Sequence, residues 1–179
     1  MTNNKYDHID YEDIIENLMD TYSLSLINFA YTYVKDWGTA EDIIQEVFIN
    51  LYHHLDSFEQ RSSYKTWLYK ITANKARDYL RKSFFKRNFI TDSISFLLKP
   101  DISTPELDLI NKSENRQIAN MVLELPLIYR EIIILYFYEN MKLTEISSLL
   151  DINISTVKSR ISRGKKLLKS KLERGSIYE

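Results

Sequence analysis

Apolar residues recur every three to four positions along most of this chain, the period that marks one face of an α-helix. Leu18, Tyr22, Leu26, Phe29 and Tyr33 set that period over residues 9–35, predicting one long helix or two close ones. Gly38 fits a stop after it. Thr39 then fits an N-cap, with Glu41 and Asp42 in a first turn where the helix dipole favours acids. Ile43, Ile44, Val47, Phe48, Leu51, Tyr52 and Leu55 form a broad apolar stripe on a second helix ending at 55. A polar loop follows at 56–63. Tyr64, Trp67, Leu68, Ile71 and Tyr79 then predict the inner face of a third helix over 64–82.

From residue 83 the pattern breaks. Phe84, Phe85, Phe89 and Phe96 are scattered, and Pro100 and Pro105 interrupt. Thr104, Pro105 and Glu106 read as N-cap, N1 and N2 of the next helix. That helix is expected over 107–125, another over 127–139, and two shorter ones over 143–150 and 154–172. The fold class is therefore all-α: two small helical domains, 9–82 and 106–175, joined by a flexible linker at 83–105.

Composition sharpens this picture. Three glycines and three prolines in 179 residues are too few for the many turns of a sandwich or a doubly wound sheet. Cysteine is absent, which excludes disulfides, cysteine-ligated zinc and thiol catalysis. The first residues show no basic segment leading into an apolar core, so no signal peptide is expected. The apolar runs are too short for a membrane span, and we expect a cytoplasmic protein with no direct membrane insertion.

Net charge is −1, but its distribution is uneven. Residues 1–60 hold 2 bases and 12 acids, and 61–90 hold 9 and 1. Residues 91–141 hold 4 and 8, and 142–175 hold 9 and 3. Two basic blocks thus alternate with acidic ones. A single basic run is an ordinary solvated helix face; two, each beside an aromatic or turn signature, point toward a polyanion.

The second basic block carries a helix-turn-helix pattern. Leu143, Ile146, Leu149 and Leu150 form a helix of about two turns; Asp151, Ile152 and Asn153 fit a tight turn, with Ile152 pointing in. Val157 and Ile161 pack the next helix back, leaving Ser155, Thr156, Lys158, Ser159, Arg160, Ser162, Arg163 and Lys166 for a DNA groove and its phosphates. Gly164 falls at the apolar spacing, where it either permits close helix approach or is simply tolerated.

In the N-terminal half, Asp42, Gln45, Glu46 and Ile49 share a helix face distinct from the apolar stripe. This face is either plain solvent surface or a docking strip for a basic partner. On the third helix Lys70, Asn74, Arg77 and Arg81 share another face, downstream of Phe58, Arg61, Ser62, Ser63 and Lys65. Cations interleaved with aromatics suit single-stranded nucleic acid, whose bases stack on rings while cations track the backbone. Tyr64 and Trp67 fit a helix core equally well, so the loop carries more of this signal than the tryptophan.

At this point the motifs resemble a known family. "WGTAEDIIQEVFINLYHHLDSFEQRSSYKTWLYKITANKARDYLRK" is similar to region 2 of bacterial extracytoplasmic-function (ECF) sigma factors of the sigma-70 family. "LPLIYREIIILYFYENMKLTEISSLLDINISTVKSRISRGKKLLKSKL" resembles their region 4. The resemblance implies that Asp42, Gln45 and Glu46 (D-x-x-Q-E) meet the β′ clamp helices of core RNA polymerase. It implies that the loop at 57–63, with Lys65, Asn74, Arg77, Asp78 and Arg81, opens the −10 element and holds a flipped base. It places the −35 element on the helix carrying Ser155 to Arg163. It further implies contact with the β flap, an anti-sigma factor that is membrane-anchored in much of the family, and no cofactor.

Two rivals stand beside that reading. A polymerase-independent helix-turn-helix regulator would use the N-terminal domain only to dimerise or sense, and would bind a palindrome unaided. An enzyme acting on nucleic acid would need a site, but there is no P-loop and no H-E-x-x-H, and His8, His53 and His54 form no recognisable motif with nearby carboxylates. No enzymatic activity and no metal are expected.

Overall fold

The computed structural model describes residues 7–55, 63–89 and 113–175. These form seven α-helices and one π-helical turn, and no strand occurs among the described residues. The chain divides into two compact units, Met1–Asp92 and Ser93–Glu179.

The first unit holds α1 (Asp7–Val34), α2 (Trp37–His54) and α3 (Tyr64–Phe89). Residues 9–34 thus lie in a single helix. The stop comes at Lys35 (φ 57°), whose N–H donates to the Tyr31 carbonyl at 2.8 Å. Left-handed backbone after a helix usually falls to glycine, and here a lysine takes it. Gly38, expected as the stop, lies inside α2 with φ in the ordinary range. Thr39, expected as the N-cap, is a donor instead: its N–H bonds Asp36 Oδ1 at 2.8 Å, and Asp36 is the cap. Glu41 and Asp42 therefore fall beyond the first turn. Hydrogen bonding from Thr39, through its side-chain hydroxyl first and its backbone N–H second, holds the Asp36 carboxyl below the usual carboxylate range.

The core of this unit is Leu26, Phe29 and Ala30 of α1, Ala40, Val47 and Leu51 of α2, and Leu68, Tyr69, Ala73 and Ala76 of α3, all at most 1% exposed. Phe29 links two of the helices, with ring centroids 5.3 Å from Tyr33 and 5.1 Å from Tyr69. Fully burying one such side chain contributes about 1.5–3 kcal/mol. The inner face of α3 is offset from the expected one. Tyr79 is 43% exposed, and the inward stripe runs through Leu68, Tyr69, Thr72, Ala73 and Ala76. Small residues win there because they let α3 approach its neighbours closely. Thr72 is buried without penalty because its hydroxyl donates to the Leu68 carbonyl at 2.9 Å. Tyr52, expected in the α2 stripe, is also exposed. Residues 83–89, expected as linker, continue α3; the rest of the expected linker, with the start at 104–106, lies outside the described residues.

The second unit holds α4 (Ser113–Leu123), α5 (Leu127–Ile133), the π-helical turn Ile134–Tyr138, α6 (Leu143–Leu150) and α7 (Ile154–Gly175). The helix expected over 127–139 changes pitch at Ile134. Glu139 N–H reaches the Ile134 carbonyl five residues back, at 3.0 Å, and Asn140 (φ 53°) ends the segment. Val122, Leu125, Ile132, Ile133, Leu135, Ile146, Leu149 and Val157 are buried. Two charged side chains join them: Arg130 and Glu131, 6% and 3% exposed. Arg130 Nη1 donates to the Leu123 carbonyl at 2.7 Å, tying α5 to the end of α4.

Candidate nucleic-acid interface

The α6–α7 turn is built from three residues with three tasks. Asp151 takes left-handed backbone (φ 55°) at the end of α6, which a short polar side chain tolerates. Ile152 N–H donates to the Ser147 carbonyl at 3.1 Å, and Ser147 Oγ donates to the Ile152 carbonyl at 2.5 Å. Asn153 Oδ1 accepts from Thr156 N at 2.7 Å and Ser155 Oγ at 2.6 Å, capping α7. At the other end of α6, Lys142 N–H donates to Glu145 Oε2 at 2.7 Å, half of a capping box. Ile152 is half-buried and Val157 fully buried, as the pattern predicts.

Along α7, Ser155, Lys158, Ser159, Ser162, Arg163 and Lys166 are exposed, and Thr156 is half-exposed. Arg160 turns back instead: its Nη1 lies 3.8 Å from Oε1 of the buried Glu131 on α5. One turn on, Gly164 is buried against α5. A Cβ there would lie 2.9 Å from Ile133 Cγ1 and 3.1 Å from its Cδ1, so the glycine serves close helix approach. Lys165, on the flank, has its ammonium 6.0 Å from the centre of the Phe137 ring. The sequence marks Glu131 only indirectly: a carboxylate directly before the apolar run 132–135 calls for a buried partner.

In the first unit Asp42, Gln45, Glu46 and Ile49 are exposed on one side of α2, Ile49 at 57%. Glu46 Oε2 pairs with Lys75 Nζ of α3 at 2.7 Å, a partner the sequence pattern does not indicate. Beside the strip runs a groove between α1 and α2, floored by Ile15, Met19, Ile44 and Phe48. On α3, Asn74 and Arg81 are exposed and Lys70 and Arg77 half-buried. The Arg77 guanidinium lies 5.9 Å from the Tyr33 ring centre, and Arg81 pairs with Asp78 at 2.9 Å. Lys65 falls on another side of the helix, with its ammonium 5.8 Å from the Tyr69 ring. Ser63 Oγ accepts from Thr66 N at 3.2 Å at the start of α3. Phe58, Arg61 and Ser62 lie outside the described residues.

No group of three or more carboxylates and histidines that could hold a metal occurs among the described residues, and none of their helices is long and apolar enough to cross a membrane.

Two family models match this chain: Sigma-70 region 2 over residues 18–83 and Sigma-70, region 4 over 115–168. The ECF RNA polymerase sigma factor SigW of Bacillus subtilis (strain 168) is 31% identical over 170 residues, covering 90% of each chain. The ECF RNA polymerase sigma-E factor of Escherichia coli (strain K12) is 33% identical over 165 residues, covering 87% of this chain and 85% of that one. In fold, the chain resembles the sigma factor RpoE of Bartonella quintana, solved in complex with the anti-sigma factor NepR. The TM-score is 0.69 at 23% identity, over 90% of this chain and 98% of that one.

Proposed function

The chain belongs to the extracytoplasmic-function group of the sigma-70 family, and from that membership we propose how its surfaces divide the work of transcription initiation. As an ECF sigma factor it binds core RNA polymerase and directs it to promoters. The acidic strip Asp42, Gln45, Glu46 and Ile49 docks on the β′ clamp helices, and the second unit meets the β flap. The α7 face carrying Ser155, Thr156, Lys158, Ser159, Ser162, Arg163 and Lys166 enters the −35 major groove. The α3 face of Lys70, Asn74, Arg77 and Arg81, with Lys65 and the loop holding Phe58, Arg61, Ser62 and Ser63, meets the −10 element.

The observation that carries this reading is the exposed cationic face of α7, set directly after a capped turn. A recognition helix presents its N-terminal residues to base edges while its cations meet phosphates. Each reader alone can be weak, because joining two on one chain raises the effective concentration of the second. Flipping a base at −10 costs a few kcal/mol, which stacking and pocket contacts offset. An anti-sigma factor that covers these faces would silence the protein.

The test is run-off transcription with purified core polymerase on upstream fragments from the protein's own genome. We expect promoter-specific transcripts that disappear with Asp42→Ala or Glu46→Ala. No such transcript from any fragment, together with unaltered core binding by both variants, would contradict the reading.

A further inference from the structure

Arg160 sits in the middle of the proposed DNA face by sequence, yet its side chain is only 25% exposed and points at a carboxylate that is 4% exposed. An arginine cannot shed its charge in a protein, and a buried carboxylate that loses its cation keeps its full desolvation penalty. The two therefore hold each other. The separation of 3.8 Å is that of an ion pair, longer than a hydrogen bond, so attraction between charges rather than a shared proton joins them. One turn further along α7, Gly164 seats on Ile133 and Tyr129 of the same α5. Two ties, one turn apart on α7 and both to α5, oppose rolling of that helix about its axis. α5 is itself tied to α4 through Arg130.

We infer that Arg160 is a positioning residue rather than a DNA contact: its pairing with buried Glu131 sets the rotation of α7, and so decides which side chains face the base edges. The inference rests on the reading of α7 as the −35 face. Its consequence is that Ser159 and Arg163, on either side of Arg160, owe their aim to a residue that touches no nucleic acid.

The experiment uses the full chain assembled with core polymerase. Binding is measured on a cognate promoter and on the same duplex with a scrambled upstream element, over a series of salt concentrations. Unfolding of the second unit is followed in parallel by hydrogen exchange. The variants are Glu131→Gln, Arg160→Met, the double Glu131→Leu/Arg160→Met, and Lys158→Ala as a reference phosphate contact.

Each single change at the pair should reduce the preference for the cognate promoter by about tenfold, within the range one misaimed base contact spans, with the salt slope of the unaltered protein. The double should recover the preference to within about threefold, because two apolar side chains can replace a buried pair that neither can leave alone. Lys158→Ala should instead lower the slope by about 0.9, the share of one phosphate contact.

Three outcomes overturn the inference: Arg160→Met lowering the salt slope as Lys158→Ala does, the double no better than Arg160→Met, or Glu131→Gln tightening binding by freeing the arginine. Should Arg160→Met fail to fold, Glu131→Gln, which keeps size and shape, and the double variant still decide. If Lys158→Ala changes neither affinity nor slope, the reading of α7 as the DNA face fails, and the inference with it.

Discussion

Gly164→Ala is a one-carbon change whose sign follows from competing terms. In an exposed helix interior, alanine for glycine gains about 1 kcal/mol. Here the new Cβ would lie 2.9 Å from Ile133 Cγ1 and 3.1 Å from Cδ1, with Tyr129 Cβ at 3.6 Å. Ile133 is 2% exposed, and a β-branched side chain on a helix has essentially one χ1 rotamer, so Cγ1 cannot swing clear. Overpacking of this kind costs about 1–3 kcal/mol. We place this case in the upper half of that range, leaving a net loss of about 1–2 kcal/mol after the helix gain. The assay is amide hydrogen exchange on peptides from α5 and α7, since both tryptophans lie in the other unit. Exchange through opening of the second unit should speed up about 5–30-fold. Gly38→Ala is the control: its Cβ would meet only Asp36 Oδ1, at 3.8 Å, and we expect neutral or slowed exchange. In a double-mutant cycle, Ile133→Ala with Gly164→Ala should cost less than the sum of the singles, because the first change vacates the space the second fills. Slower exchange in Gly164→Ala, or strict additivity with Ile133→Ala, would refute the close-approach argument.

Other expectations follow from the same geometry. Asp36→Ala should destabilise the first unit by about 1 kcal/mol at neutral pH, whereas Asp36→Asn, an equally good cap, should be nearly silent. The folded-state carboxyl is depressed, so its contribution is present above the ordinary carboxylate range and lost as pH falls through the lower folded value. The acid limb of thermal stability should therefore be shallower in Asp36→Asn. Ile49→Ala should leave thermal unfolding within about 0.5 kcal/mol, as for an ordinary surface change, yet weaken core polymerase binding in a pull-down titration. Lys75→Ala should cost at most about 1 kcal/mol, since exposed ion pairs contribute little, and should leave Glu46 at least as able to bind polymerase in that titration.

The helices were legible because their apolar period is strong, and the α6–α7 turn because each of its residues has a narrow local role. The joint between α1 and α2 was not. Gly38 and Thr39 look like a stop and a cap, but Lys35 accepts left-handed backbone and Asp36 caps from three residues earlier. Nothing in the pattern separates a glycine used for its backbone freedom from one merely tolerated. On α3, aromatic size drew attention to Tyr79, while the packed face follows Ala73 and Ala76, because close approach rewards small side chains. The ion pairs Glu46–Lys75 and Glu131–Arg160 join residues 29 apart in each case. Helical periodicity speaks only to neighbours three or four residues away, so such partners emerge only once helices pack.

The division of labour between the two units is tested most directly by photo-cross-linkers placed at Ser159 and at Asn74, each in the polymerase–promoter complex. Ser159 should capture the upstream duplex and Asn74 should capture DNA near the start site, with the two footprints separated along the promoter. Cross-links from both positions to the same DNA segment, or from Ser159 to polymerase alone, would contradict that division of labour.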